Sequence, residues 1–366
     1  MIKLIKIAVI LGTRPEIIKF APVIREFDKR KIDYFVMHTG QHYDYEMDRI
    51  FFKELDLKPE SVNLNVGSGT HGEITGKMLA MIEKVLIDKK PTMILVQGDT
   101  DTALAGSLAA IKLHIDVGHI EAGLRSYDRR QPEEYNRIIV DHIGNYLFAP
   151  TKKSKETLIK EGIKRSYIYL TGNTIVDSVF QTLRIAKMKS KILDELEIKK
   201  NNYFLLTVHR EENVDYKERL LEILKGFKKI SDKYTLPLIY PIHPRTKKRI
   251  REFKLNNFVS RIKNLKMINP VGFFDFLILE ANAKLVLTDS GGVVEECCIL
   301  KVPSVSLRDY SDRPESIEIG ASVLSGCKAD KILKATELML KKEKNWENPF
   351  GDRGAAKKII RIILKK

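Results

Sequence analysis

Short runs of consecutive apolar residues, each followed by a longer stretch with helical periodicity, recur along almost the whole chain. Leu4–Leu11, Tyr34–His38, Thr92–Gln97, Asp116–Ile120 and Tyr146–Ala149 form one series. Tyr203–Val208, Leu238–Pro241, Lys266–Ile268, Lys284–Thr288 and Ser304–Leu307 form a second. Unbroken apolar runs suit parallel strands covered on both faces, whereas strict alternation would suit half-exposed ones. Strand–helix–strand repetition in two series predicts an α/β protein of two doubly wound, Rossmann-like domains. Ligands of such sheets bind beyond the carboxyl ends of the strands, so two sheets facing one another imply a cleft between domains.

The seam is expected near Thr171-Gly172-Asn173-Thr174, ahead of the Lys-rich stretch Lys187–Asn202. That gives a first domain of residues 1–172 plus 352–366 and a second of 173–351, with the last helix, from Gly354 on, returning to the first. A chain of 366 residues suits two cores better than one. The first apolar run is short and broken by Lys6, with no small-residue cleavage site before Thr13-Arg14-Pro15-Glu16. It reads as a buried strand rather than a signal peptide. No apolar run approaches the ~20 residues of a spanning helix. The three cysteines, Cys297, Cys298 and Cys327, lack CxxC spacing. That disfavours a disulfide framework or zinc site and suits a reducing, cytoplasmic setting.

A net charge of +16 favours anionic partners: nucleic acid, acidic lipid or a phosphorylated small molecule. No basic stripe interleaved with aromatics is visible, and the excess is dispersed in Lys-rich helices, so a nucleic-acid partner is not expected.

The motifs point to the third choice. Gly12-Thr13-Arg14-Pro15 follows the first strand. Gly12 permits a tight turn, Pro15 suits a first helical turn, and Arg14 sits where free backbone donors attract an anion. Lys19, one turn on, can point the same way; solvated basic residues are the plainer alternative. Thr288-Asp289-Ser290-Gly291-Gly292 repeats the design at a later strand end, where bare amides can face a phosphate. Glu296, six residues past Ser290, can accept hydrogen bonds from a ribose diol. The motif is neither GxGxxG nor GxxxxGK[ST], so neither NAD nor an ATPase is indicated.

Asp99 and Glu121 end neighbouring predicted strands, and Glu133 opens a nearby helix. Three converging carboxylates would separate in pKa and supply both an acid and a base. Capping by Asp99 and Glu133, and pairing of Glu121 with Arg125 or Arg137, are the structural alternatives. His209 and His243 each close a strand of the second series, where a histidine can hold phosphate or move a proton. Arg308 and Arg313 follow the last strand of that series and can neutralise a diphosphate, with neighbouring acids as alternative partners. Of Phe273, Phe274 and Phe276, one can stack on a base and at least two belong in the core.

Gly12-Thr13-Arg14-Pro15-Glu16, Gly98-Asp99-Thr100, Gly118-His119-Ile120-Glu121-Ala122-Gly123-Leu124-Arg125, Pro132-Glu133-Glu134, Asp289-Ser290-Gly291-Gly292 and Arg313-Pro314-Glu315 resemble the motifs of non-hydrolysing UDP-N-acetylglucosamine 2-epimerases. The likeness runs in order to the closing Asn348-Pro349-Phe350-Gly351-Asp352. It implies a GT-B fold, a homodimer, and no metal or other cofactor. It also implies interconversion of UDP-GlcNAc and UDP-ManNAc by loss of UDP to 2-acetamidoglucal and its re-addition. Asp99, Glu121, Glu133 and His209 match the family's catalytic positions. Arg14, Lys19, Phe276, Ser290, Gly291, Gly292, Glu296 and Arg313 match its UDP-binding ones. Val271 stands where relatives often carry glutamine. Gln41, His42 and His243 resemble parts of a bacterial activator site, but Thr39–Asp44 around them departs from that pattern. Two neighbouring activities stay open, epimerisation of a UDP-2,3-diacetamido sugar acid and GT-B glycosyl transfer; the three acids disfavour the latter.

Overall fold

The computed structural model describes residues 5–40, 52–311 and 314–365. Contacts divide the chain into two compact units, Met1–Gln181 with Phe350–Lys366, and Thr182–Pro349. The division falls inside the helix Thr174–Lys189. Thr171 and Asn173 stay with the first unit, because their N–H groups donate to Ala149 O and Phe350 O, each at 3.0 Å.

The first unit carries β1 (Lys6–Leu11), β2 (Asp33–His38), β3 (Val62–Asn63), β4 (Met93–Gln97), β5 (Asp116–Ile120), β6 (Tyr146–Ala149) and β7 (Ile168–Leu170). They form a seven-stranded sheet in the order β3-β2-β1-β4-β5-β6-β7. Every pairing is parallel. Ile7 to Leu11 of β1 are wholly buried, as an unbroken apolar run at the centre of a two-faced sheet requires. The strand order reverses between β1 and β4, and side chains at the carboxyl ends there face the position where such sheets take ligands.

The second unit repeats the plan with β8 (Phe204–Thr207), β9 (Leu238–Pro241), β10 (Leu265–Ile268), β11 (Leu285–Thr288), β12 (Ser304–Ser306) and β13 (Ser322–Leu324). Its parallel sheet runs β10-β9-β8-β11-β12-β13, reversing between β8 and β11. Phe204, Leu206, Leu285 and Leu287 pack one face with Phe227 and Ile230 of the helix Lys217–Lys233. Leu205 and Val286 turn to the other, against Leu279 and Cys297. Three strands were absent from the apolar pattern, β3, β7 and β13. Each is a two- or three-residue edge piece, too short to show a period.

The C-terminal helix Ala355–Ile363 does return to the first unit. Ala355, Ala356, Ile359, Ile360 and Ile363 form its buried stripe, and it lies against the helix Arg14–Arg30. Asp177 fixes its start, accepting from Gly354 N–H at 2.5 Å and Ala356 N–H at 2.8 Å. Among the described residues no helix is long and apolar enough to cross a membrane.

Candidate active site

In the first unit the helix after β1, the end of β4 and the segment after β7 meet on one carboxylate. Glu121 directly follows β5 and is held at φ +70°, a left-handed conformation that costs a non-glycine residue roughly 1–2 kcal/mol. Such strain persists only where the surroundings over-determine it. Here they do. Lys19 Nζ donates to Glu121 Oε1 at 2.6 Å and Oε2 at 2.7 Å. Asn173 Nδ2 donates to Oε1 at 2.9 Å, and Gln97 Nε2 to Oε2. Gly98, at φ +70°, supplies the tight turn; a Cβ there would stand 3.7 Å from Glu121 Oε2. Lys19 and Glu121 are 7% and 4% exposed, so this is a buried ion pair rather than a solvated one. Lys19, matched in the sequence to UDP binding, is paired here with this acid.

Asp99 is half-buried one residue after Gly98, and Arg137 NH2 donates to its Oδ2. Arg137 NH1 also donates to Glu134 Oε2 at 3.1 Å. The helix Pro132–Ile143 buries Glu134 while leaving Glu133 exposed. Glu134 in turn accepts from the N–H groups of Ser126 and Tyr127, both at 2.9 Å, and so fixes the loop leading into that helix. Thus Arg137 takes Asp99, and Arg125 takes Asp141 at 2.7 Å and Glu161 at 2.5 Å.

Two further groups brace these loops. His119 Nδ1 lies 2.7 Å from Asp141 Oδ1, and its Nε2 lies 2.8 Å from Gly98 O, so the imidazole ties β5 to the turn carrying Asp99. Burial alone would raise Asp141, but the charges and hydrogen bonds of His119 and Arg125 outweigh it and hold the carboxyl below its ordinary value. Glu16 accepts from Gly12 N–H and Thr13 Oγ1, both at 2.9 Å, and from Thr100 Oγ1 at 2.8 Å. It therefore links the β1 turn to the β4 turn. Burial pushes Glu16 up to about 7, against those three donors.

In the second unit, Ser290 caps the helix Gly291–Leu300, and its N–H donates to Thr288 Oγ1 at 2.9 Å. Among the described residues a Cβ on Gly292 would meet only Ser290 Oγ, at 3.9 Å, so their packing does not demand glycine there. The space above that helix terminus suits a ligand with negative charge. Asp289, wholly buried, accepts from His209 N–H at 3.0 Å, Arg210 N–H at 3.0 Å and Asn213 Nδ2 at 3.2 Å. His209 Nδ1 stands 3.4 Å from Asp289 Oδ1. His243 is exposed, its ring 5.7 Å from that of His209, and its Nδ1 accepts from Arg245 N–H at 3.2 Å. Glu296 and Arg308 are buried, the latter with its guanidinium 4.7 Å from the Tyr310 ring. Phe273 and Phe274 are core residues, while Phe276 is half-buried beside that core. Arg14 is half-buried at the start of its helix. Among the described residues no group of three or more His, Cys, Asp or Glu is placed to hold a metal ion. Arg313, Gln41 and His42 lie outside the described residues.

Of the three acids the motifs singled out, Asp99 and Glu121 lie at the ends of adjacent strands and Glu133 is exposed on its helix; in the second unit a glycine turn precedes the helix that carries Glu296. The family described as UDP-N-acetylglucosamine 2-epimerase matches residues 25–364.

The chain belongs to that family.

It is 54% identical over 360 residues to the UDP-N-acetylglucosamine 2-epimerase of Methanocaldococcus jannaschii, covering 98% of each chain. It superposes with a TM-score of 0.90 and 53% identity on a crystal structure of the M. jannaschii UDP-GlcNAc 2-epimerase in complex with UDP-GlcNAc and UDP, spanning 99% of this chain and 100% of that one. It is also 37% identical to the UDP-2,3-diacetamido-2,3-dideoxy-D-glucuronate 2-epimerase of Pseudomonas aeruginosa, across 99% of both. The chain is thus an epimerase with the GT-B type of fold. Within this epimerase, sequence reasoning passed over Gln97, Asn173, Glu134, Asp289 and Glu16. Asp289, Glu16 and Glu134 stood inside motifs already singled out, and Gln97 ended a predicted strand; Asn173 carried no signal, because only the return of the chain after β7 brings it to Glu121.

Proposed function

We propose that this epimerase interconverts UDP-GlcNAc and UDP-ManNAc by inverting C2 of the hexose. The observation that carries the reading is the pair Asp99 and Glu121, two acids at the ends of adjacent parallel strands, each paired with a cation, in a chain of this family. The C2 proton of a 2-acetamido sugar is barely acidic, so its removal has to be coupled to departure of UDP from C1. One acid takes the proton as the C1–O bond breaks and the electron pair leaves on the diphosphate, giving 2-acetamidoglucal. Delivery of a proton to the opposite face of C2 and return of the UDP oxygen to C1 complete the balance. Asp99 and Glu121 act as base and acid, with Glu133 relaying and His209 assisting at the diphosphate.

The turn Ser290-Gly291-Gly292, Arg14, Arg308 and Arg313 take the diphosphate charge that grows as the bond breaks. Glu296 accepts the ribose hydroxyls, Phe276 lies against the base, and His243 assists at the phosphate. Among the described residues two N–H groups of Lys19 hold Glu121, and the third can donate to a phosphate oxygen. The same reading makes the enzyme a cytoplasmic homodimer, which sedimentation of the pure protein and fractionation of its cells test.

Incubation with UDP-GlcNAc in deuterated water tests the chemistry. A second sugar nucleotide with the manno configuration and deuterium at C2 is expected; a manno product retaining protium at C2 overturns elimination and re-addition. The 37% identity to a diacetamido sugar-acid epimerase supports a second reading, the same inversion on that substrate. Parallel kcat/KM measurements on both substrates decide between them.

A further inference from the structure

Behind the proposed ribose ligand lies a second carboxyl group that the reading above does not use. Glu280 sits on the helix Phe273–Asn282, and Glu296 on the helix Gly291–Leu300. Glu280 is wholly buried and Glu296 nearly so. The two carboxyls are close enough to hydrogen-bond each other. Cys297 Sγ donates to Glu280 Oε1 at 3.3 Å, whereas Glu280 Oε2 finds no donor among the described residues. Among the described residues no Lys or Arg pairs with Glu280, and Cys297 is itself wholly buried. Two anionic carboxylates cannot share such a site; one proton between them removes the repulsion and gives the unserved oxygen its bond.

We infer that Glu280 is a positioning residue for nucleotide recognition: it carries the proton on Oε2 and donates it to Glu296, fixing the Glu296 carboxylate as an acceptor for the ribose hydroxyls. The proposal rests on the assignment of Glu296 to the ribose. Burial, followed by the charge of Glu296, raises Glu280 well above the ordinary carboxyl range, in keeping with a neutral acid. An ionised Glu296 backed by a fixed donor offers its outer lone pairs in one direction only. Without that donor the Glu296 carboxylate loses one of the contacts that set its direction, and its hold on the ribose weakens.

Calorimetric titration with UDP and with 2′,3′-dideoxy-UDP, which lacks both hydroxyls, tests this on the full-length enzyme. Glu280→Gln keeps a donor toward Glu296 and should bind UDP within about twofold of wild type. Glu280→Met keeps the volume without the donor; it should weaken UDP about tenfold and erase most of the preference over the dideoxy analogue. Replacement of a buried ionisable group by an apolar one of similar size is compatible with folding. If Glu280→Met retains the preference while Glu296→Ala loses it, the positioning role is overturned and the ribose assignment stands. If Glu296→Ala itself retains the preference, the ribose assignment falls and takes this inference with it. Equal losses in Glu280→Gln and Glu280→Met also overturn proton donation. Infrared difference spectra give a check that needs no apolar variant. The wild-type minus Glu280→Gln difference spectrum at neutral pH should hold a protonated-carboxyl C=O band, the contribution of Glu16 being common to both proteins and cancelling, and the absence of that band overturns the inference.

Discussion

Lys19 and Glu121, 102 residues apart in the chain, form a buried pair in which one ammonium reaches both carboxylate oxygens at 2.6 and 2.7 Å. The pair joins the first helix after β1 to the residue after β5, across the reversal point of the sheet. It holds the Glu121 carboxyl in place while the left-handed backbone at that residue presents it inward.

Removal of Lys19 therefore takes the cation away from a buried acid that keeps only its other hydrogen-bond donors, Asn173 and Gln97 among them. Lys19→Met should destabilise the protein by about 3–5 kcal/mol and reduce turnover strongly. The double variant Lys19→Met/Glu121→Gln should recover most of the stability and none of the activity. Urea denaturation beside an NMR assay of C2 inversion measures both; a double variant no more stable than Lys19→Met would contradict the account.

Asp99→Asn and Glu121→Gln keep the shapes of their side chains while removing proton transfer. Exchange of the C2 hydrogen with solvent should fall by about 10²–10⁴-fold in each, with UDP affinity nearly unchanged. Near-normal exchange in both variants rules out their assignment as the base and acid.

Glu16 gives the protein a pH signature. The unfolded glutamate loses its proton near 4.5 and the folded one near about 7. Its stabilising contribution is then full below 4.5 and lost as pH rises through the folded value, since the folded state holds the extra proton in that window. The difference in unfolding free energy between wild type and Glu16→Gln should shift by roughly 3 kcal/mol between pH 4.5 and pH 7.5. Parallel stability curves for the two proteins would show that the three hydrogen bonds to Glu16 keep it ionised.

At Gly292 the structure separates packing from ligand binding. Among the described residues an added Cβ meets only Ser290 Oγ, at 3.9 Å. Gly292→Val should leave stability within about 0.5 kcal/mol while weakening UDP at least about tenfold, because the side chain projects where the diphosphate would approach the helix terminus. Thermal unfolding and calorimetry on the same preparation check both halves. Unchanged UDP affinity would move the diphosphate away from this turn.

Much of the molecule follows from the linear chain. The central strands are legible because burial on both faces demands unbroken apolar runs, and the turns after them because Gly98, Pro15 and Ser290-Gly291-Gly292 answer local backbone requirements. Those turns bracket most of the candidate site. Tertiary structure alone decided which charges meet. Arg125 and Arg137 were the arginines offered to Glu121, yet the fold gives that acid Lys19 and Asn173, and spends both arginines elsewhere. Glu133 and Glu134 are indistinguishable as adjacent letters, but successive residues on a helix point about 100° apart, so one is exposed while the other supports Arg137. Periodicity and turn chemistry act over a few residues and can be read in order. Ion pairing depends on directions in space between segments a hundred residues apart, which only the folded chain sets.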